Sequence, residues 1–142
     1  MTIAIGSDHA GFEYKELIIK YLTKSGHSVL NKGTFSPDAT DYADFAHPVA
    51  DAVETKVADF GILVCGSGNG VCMTANKHSH IRAALCWTTE LAALARQHNN
   101  ANVMCVPSRF VSKRMAQNMV KMFLESSFEG GRHQIRINKI PC

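Results

Sequence analysis

The sequence predicts an α/β fold, a Rossmann-like three-layer αβα sandwich built on a five-stranded parallel sheet. Three observations predict it. Short apolar runs alternate five times with segments of helical period, a pattern that implies parallel strands joined by right-handed helical crossovers. The run Phe60 to Val64 is continuously apolar, as a strand covered on both faces must be. The 142 residues make one domain, 1–142, large enough to bury roughly two thirds of its unfolded surface.

The elements follow in order. Thr2 to Ile5 is a short strand ending at Gly6, after which Tyr14, Leu17, Ile18, Tyr21 and Leu22 recur at helical spacing until Gly26 stops the helix. His27 to Asn31 forms a second strand, and a polar loop runs through Ser36-Pro37-Asp38 to Asp41-Tyr42, where turn formers cluster. Ala46, Val49, Ala50, Val53 and Val57 mark the next helix, in which Pro48 is tolerable only within about the first turn. Phe60 to Val64 is the central strand. A helix from about Val71 to Lys77, a strand Ile81 to Leu85, a helix Thr88 to His98 and a strand Asn102 to Val106 continue the alternation. Val111, Met115, Met119, Met122 and Phe123 then give a long amphipathic helix.

Composition narrows the function. The N-terminus lacks a basic region followed by a long apolar one, and no apolar run approaches the ~20 residues of a membrane span, so a cytoplasmic location is expected. Cys65, Cys72, Cys86, Cys105 and Cys142 form an odd set without a C-x-x-C pair, which suggests neither a disulfide framework nor a zinc knuckle. The formal charge is only +3, and no basic stripe with interleaved aromatics appears; nucleic acid is therefore not the expected partner. A small anionic ligand fits better.

In such sheets ligands bind outside the carboxyl ends of the strands. Asp8 and His9 follow the first strand, and Cys65-Gly66-Ser67-Gly68-Asn69-Gly70 follows the central one. The glycines let backbone N–H groups turn inward on an oxyanion or a phosphate. The alternative is that Asp8 merely caps a helix and His9 is surface. Several motifs are excluded by spacing. Gly6 to Gly11 has Phe12 where a phosphate-loop lysine is required, and Val71 replaces the third glycine of the dinucleotide fingerprint. Leu63 stands where a nucleophile elbow needs glycine, and Cys65 where a response regulator needs aspartate. A thiol beside inward N–H groups is expected to be a stronger acid than a free cysteine and could act as a general base; the alternative is a small buried strand residue. His98, within Arg96-Gln97-His98-Asn99-Asn100, is either an acid–base group or a helix-dipole partner. Arg132 and Arg136 lie four apart, on one face if helical, and suit either a phosphate or a solvated tail.

Taken together, Gly6-Ser7-Asp8-His9-Ala10-Gly11, Asp41-Tyr42, Gly61 to Gly70, Ala75-Asn76-Lys77, Ile81-Arg82-Ala83, Ala95 to Asn99 and Phe128 to His133 closely resemble the ribose-5-phosphate isomerase B family. The wider group includes galactose-6-phosphate and allose-6-phosphate isomerases. The resemblance runs almost end to end. It implies interconversion of ribose 5-phosphate and ribulose 5-phosphate through an enediolate, without metal or organic cofactor. Cys65 would be the base, the N–H groups of Gly66, Gly68, Asn69 and Gly70 the oxyanion cradle, and His98 with Ser67 and Asp8 the ring-opening set. His9, Arg109, Arg132 and Arg136 would bind the phosphate, while Asn99 and Tyr42 contact the sugar. The family implies a homodimer or tetramer whose site is shared, with the C-terminal tail from about 127 to 142 reaching a partner across the Gly130-Gly131 hinge. Ser67, Asn69 and Pro107 depart from common family residues; Ser67 keeps a hydroxyl, and Asn69 bears on which sugar is preferred. A six-carbon sugar phosphate is the rival substrate, and a non-catalytic sugar-phosphate-binding protein the rival class.

Overall fold

The computed structural model describes residues 1–141; Cys142 lies outside the described residues. The strands are β1 (Thr2–Ser7), β2 (Ser28–Asn31), β3 (Phe60–Cys65), β4 (Ala83–Leu85) and β5 (Val103–Pro107). They form one sheet in the order β2-β1-β3-β5-β4, every neighbouring pair parallel. The helices are α1 (Phe12–Lys24), α2 (Ala43–Glu54), α3 (Asn69–Ala75), α4 (Thr89–Asn99), α5 (Lys113–Glu125) and α6 (Arg132–Ile137). None of them is long and apolar enough to cross a membrane.

Strand side chains alternate between two cores, as a period of two requires. Ile3, Ile5, Ile62, Val64, Met104 and Val106 pack with Ile18 and Leu22 of α1, Ala92 of α4, and Met119 and Phe123 of α5. Ala4, Leu63, Cys65, Val103 and Cys105 pack instead with Val49 and Val53 of α2 and Val71 and Ala75 of α3. These are the three layers. Crossovers toward the β2 edge use α1 and α4, whereas those toward the β4 edge use α2 and α3. Reversing direction and face together keeps every crossover of one hand.

Element boundaries differ from the sequence reading in instructive ways. Pro48 falls in the second turn of α2, because the helix begins at Ala43. The expected restriction to the first turn is overturned: the buried stripe Ala46, Val49, Ala50 and Val53 on the sheet offsets the roughly 3 kcal/mol cost of an interior proline. β4 was expected from Ile81 and starts at Ala83. Side-chain amides occupy the preceding backbone: Asn102 Oδ1 accepts from Arg82 N at 2.8 Å and its Nδ2 donates to His80 O at 2.8 Å. Asn76 likewise accepts from Ala83 N and donates to Ala83 O, both at 2.9 Å. Arg132 and Arg136 do lie on a helix, α6. Thr88 and Ser112 cap α4 and α5, accepting from Leu91 N and Met115 N.

Candidate active site

The chain leaves β1 toward one edge of the sheet and leaves β3 toward the other, so a crevice opens between their carboxyl ends. Asp8 and Cys65 flank it. Cys65 Sγ donates to Asp8 Oδ2 at 3.0 Å, and both residues are 7% exposed. The second Asp8 oxygen, Oδ1, accepts from Gly11 N at 2.9 Å and so caps the 3-10 turn His9–Gly11. The capping role and the thiol contact coexist in one carboxylate.

The expectation of an unusually acidic thiol is corrected. Burial raises the Cys65 pKa most, the hydrogen bond to Asp8 next, and the Asp8 charge adds to both; the N–H groups of Gly68 and Ser67 oppose this without prevailing. The resting thiol is protonated, with a carboxylate in place to receive its proton.

The loop after β3 turns at Gly68, whose φ of +77° is open to glycine and strained for other residues. A Cβ there would meet Leu85 Cδ1 at 2.5 Å, and one at Gly70 would meet the Tyr42 ring at 2.6 Å. At Gly66 a Cβ would come 3.2 Å from Arg109 Nε, so the guanidinium lies over that glycine. Exposed Ser67 accepts from Asn69 N at 3.3 Å. Exposed His9 accepts from Thr40 N through Nδ1 at 3.3 Å, tying the β1 rim to the loop that carries Tyr42.

The structure thus gathers Asp8, His9, Tyr42, Arg109 and the Cys65 to Gly70 loop on one rim. It sets His98, Asn99, Arg132 and Arg136 elsewhere. α4 runs back from the carboxyl rim, so His98 and Asn99 at its end stand at the amino edge, a strand length or roughly 20 Å away. α6 packs there too: Glu129 N donates to Gln97 O at 3.0 Å, and the His98 and His133 rings stack at 4.2 Å and 8°. Glu129 Oε2 lies 3.9 Å from His98 Nε2 and 3.6 Å from His133 Nε2.

Two features escaped the sequence reading. Ser108 N donates to Cys65 O at 2.9 Å, and its Oγ lies 3.1 Å from that oxygen and 3.0 Å from Ala10 O, strapping three segments of the rim together. Its place after β5 is the signal, since the same rim rule selects it. A cavity of about 430 Å³ beside the loop is lined by Ser67, Asn69, Leu85, Trp87, Pro107 and Phe110. Among the described residues, His/Cys/Asp/Glu groups spaced for a metal are His98–Glu129–His133 and Asp51–Glu54–His78; neither includes Cys65.

A buried thiol–carboxylate pair beside a left-handed glycine turn, at the switch point of a parallel sheet, defines an α/β protein suited to proton transfer on a small polar ligand. The chain belongs to the Ribose/Galactose Isomerase family, whose profile matches residues 3–140. It is 49% identical over 141 residues to the probable ribose-5-phosphate isomerase B of Mycoplasma genitalium, covering 98% of this chain and 93% of that one. It is 44% identical over 138 residues to ribose-5-phosphate isomerase B of Escherichia coli, covering 97% and 93%. Among solved structures, the Mycoplasma genitalium enzyme with bound ribulose-5-phosphate superposes with a TM-score of 0.95 at 49% identity, covering 98% and 93%. The Thermotoga maritima ribose 5-phosphate isomerase superposes with a TM-score of 0.97 at 46% identity, covering 99% and 97%.

Proposed function

We propose that this chain is an aldose–ketose isomerase interconverting ribose 5-phosphate and ribulose 5-phosphate. The Cys65–Asp8 pair at 3.0 Å carries the reading, in a chain 49% identical to a protein solved with ribulose-5-phosphate bound. Asp8 withdraws the Sγ proton, and the thiolate takes the proton from C2 of the open-chain aldose. The electron pair passes to O1, forming an enediolate held by N–H groups of Gly66, Gly68, Asn69 and Gly70, each donor worth ~3 kcal/mol in comparable sites. The sulfur then returns a proton to C1 while the O2 proton passes to O1, giving the ketose. Neither step calls for a metal or an organic cofactor.

Ring opening and phosphate binding need the groups at the amino edge, and their separation from Cys65 within one chain supports a site shared between copies. His98 of the partner subunit, with Ser67, would move protons on the ring oxygens. His9 and Arg109, joined by Arg132 of the partner subunit and Arg136 of the partner subunit, would hold the phosphate, so that binding energy at this remote group positions C1 and C2. Asn99 of the partner subunit and Tyr42 would contact the sugar. In this reading the single domain sends its tail, from about residue 127 onward, across to a neighbour, in a homodimer or a tetramer of dimers.

The test is an ultraviolet assay of ribulose 5-phosphate formed from ribose 5-phosphate by the purified protein after chelator treatment, with Cys65→Ala as control. Turnover in the wild type, lost in the control, is expected. Turnover surviving in Cys65→Ala removes the base; turnover with allose 6-phosphate or galactose 6-phosphate alone transfers the reading to six-carbon substrates. Binding without exchange of the C2 proton would make the chain a sugar-phosphate-binding protein.

A further inference from the structure

We propose that Asp51, Glu54 and His78 form a binding site for a divalent transition-metal ion of the zinc type, joining α2 to the loop between α3 and β4. α2 places Asp51 and Glu54 three residues apart on one face. His78 Nδ1 lies 3.3 Å from Asp51 Oδ1 and 3.2 Å from Glu54 Oε2, and the three ligand atoms all fall within 4.8 Å of one another. Ligands bound tetrahedrally at about 2.0 Å from zinc stand about 3.3 Å apart, so the spacing fits with little adjustment. The other candidate group fits worse. His98 and His133 stand 3.9 and 3.6 Å from Glu129, and their rings are stacked in parallel, so their lone pairs run side by side rather than converging.

Groups outside the ligand set hold it in place. His78 Nε2 is 2.8 Å from His47 Nδ1, which fixes the ring orientation. Glu54 Oε1 accepts from His80 N at 3.0 Å and from Ser79 Oγ at 3.1 Å, leaving Oε2 turned toward His78. Such outer partners of a ligating histidine and carboxylate are the support a metal site requires. His78 Nδ1 thus faces both carboxylates. An ion bound at Nδ1 leaves the Nε2–H of His78 to donate to His47 Nδ1. Asp51 is 63% exposed in its side chain against 13% for His78, so the group is reached by water from the Asp51 side. The imidazole in the set favours zinc over magnesium or calcium.

The site lies at the amino edge of the sheet, away from Cys65, and uses no residue of the proposed isomerase machinery. Its failure and that of the isomerase reading are therefore separable. The test is zinc titration of the full chain against a chromophoric chelator, repeated with Co²⁺ by visible spectroscopy. The wild type is expected to bind one equivalent that is lost in His78→Gln and weakened at least tenfold in Asp51→Asn, while His47→Ala weakens it by about tenfold. Asp51→Asn changes an exposed side chain and keeps the test valid if His78→Gln does not fold. Cobalt is expected to show ligand-field bands without thiolate charge transfer. No bound equivalent, unchanged affinity in Asp51→Asn, a thiolate charge-transfer band, or loss of the equivalent in Glu129→Gln would each overturn the assignment.

Discussion

Replacing Asp8 by asparagine should push two properties of Cys65 in opposite directions. The Asp8 carboxylate accepts the Sγ proton at 3.0 Å and raises the thiol pKa by both hydrogen bonding and charge. A unit charge at that distance is worth about 1.4 kcal/mol even at the dielectric of bulk water, and more in a buried site. Removing it should raise the thiolate fraction near neutral pH about tenfold or more. Asparagine caps a turn about as well as aspartate, so the bond from Gly11 N survives and stability should change by less than about 1 kcal/mol. Asparagine cannot, however, receive the Sγ proton during turnover, and loss of such acid–base help costs ~10²–10⁴-fold in kcat. The assay pairs iodoacetamide labelling of Cys65, read by peptide mass spectrometry to separate it from Cys72, with turnover of ribose 5-phosphate. Faster labelling with slower turnover is expected. Labelling no faster than in the wild type would refute the coupling of thiol and carboxylate.

Three further outcomes follow from the same geometry. Gly68→Ala puts a Cβ 2.5 Å from Leu85 Cδ1 at a φ of +77°, so thermal unfolding should report a loss of ~1–2 kcal/mol and kcat/KM should fall with the displaced loop. Met119→Ala empties a fully buried position beneath α5 and should cost ~2–5 kcal/mol in urea melts without changing KM in the folded protein. Burial pushes the Cys86 thiol from its ordinary 9.0 up to about 12. Above pH 9 the unfolded chain then sheds a proton that the folded chain keeps. This contribution to stability is intact below about pH 9 and falls as pH rises toward 12, by on the order of 4 kcal/mol; Cys86→Ala should flatten that alkaline limb in denaturant titrations.

Much of the fold was legible because its signals are local. The alternation of apolar runs with helical stretches, and the rim rule applied to Asp8 and Cys65, need only neighbouring residues. What was not legible depends on pairs far apart in the chain. The acidity of Cys65 was misjudged because burial, and then Asp8 in the turn after β1, set it, and chain order alone reveals neither the burial nor a 3.0 Å contact. The late start of β4 depends on the amides of Asn76 and Asn102 reaching its backbone from two other segments. Pro48 was read by the average cost of an interior proline, whereas the buried face of α2 outweighs it. His47 and His78 gave no signal at all, since their contact appears only when α2 packs beside the loop after α3.

An isomerase site assembled from Cys65 of one copy and His98 of another can be rebuilt by mixing two variants, Cys65→Ala and His98→Ala, after reversible dissociation. In a mixed dimer one site carries both substitutions and the other neither, so random reassociation should restore about a quarter of wild-type turnover from two preparations that are nearly inactive alone. Restoration toward that level supports the account; a mixture that exchanges subunits yet stays inactive, or a His98→Ala variant with full activity by itself, contradicts it.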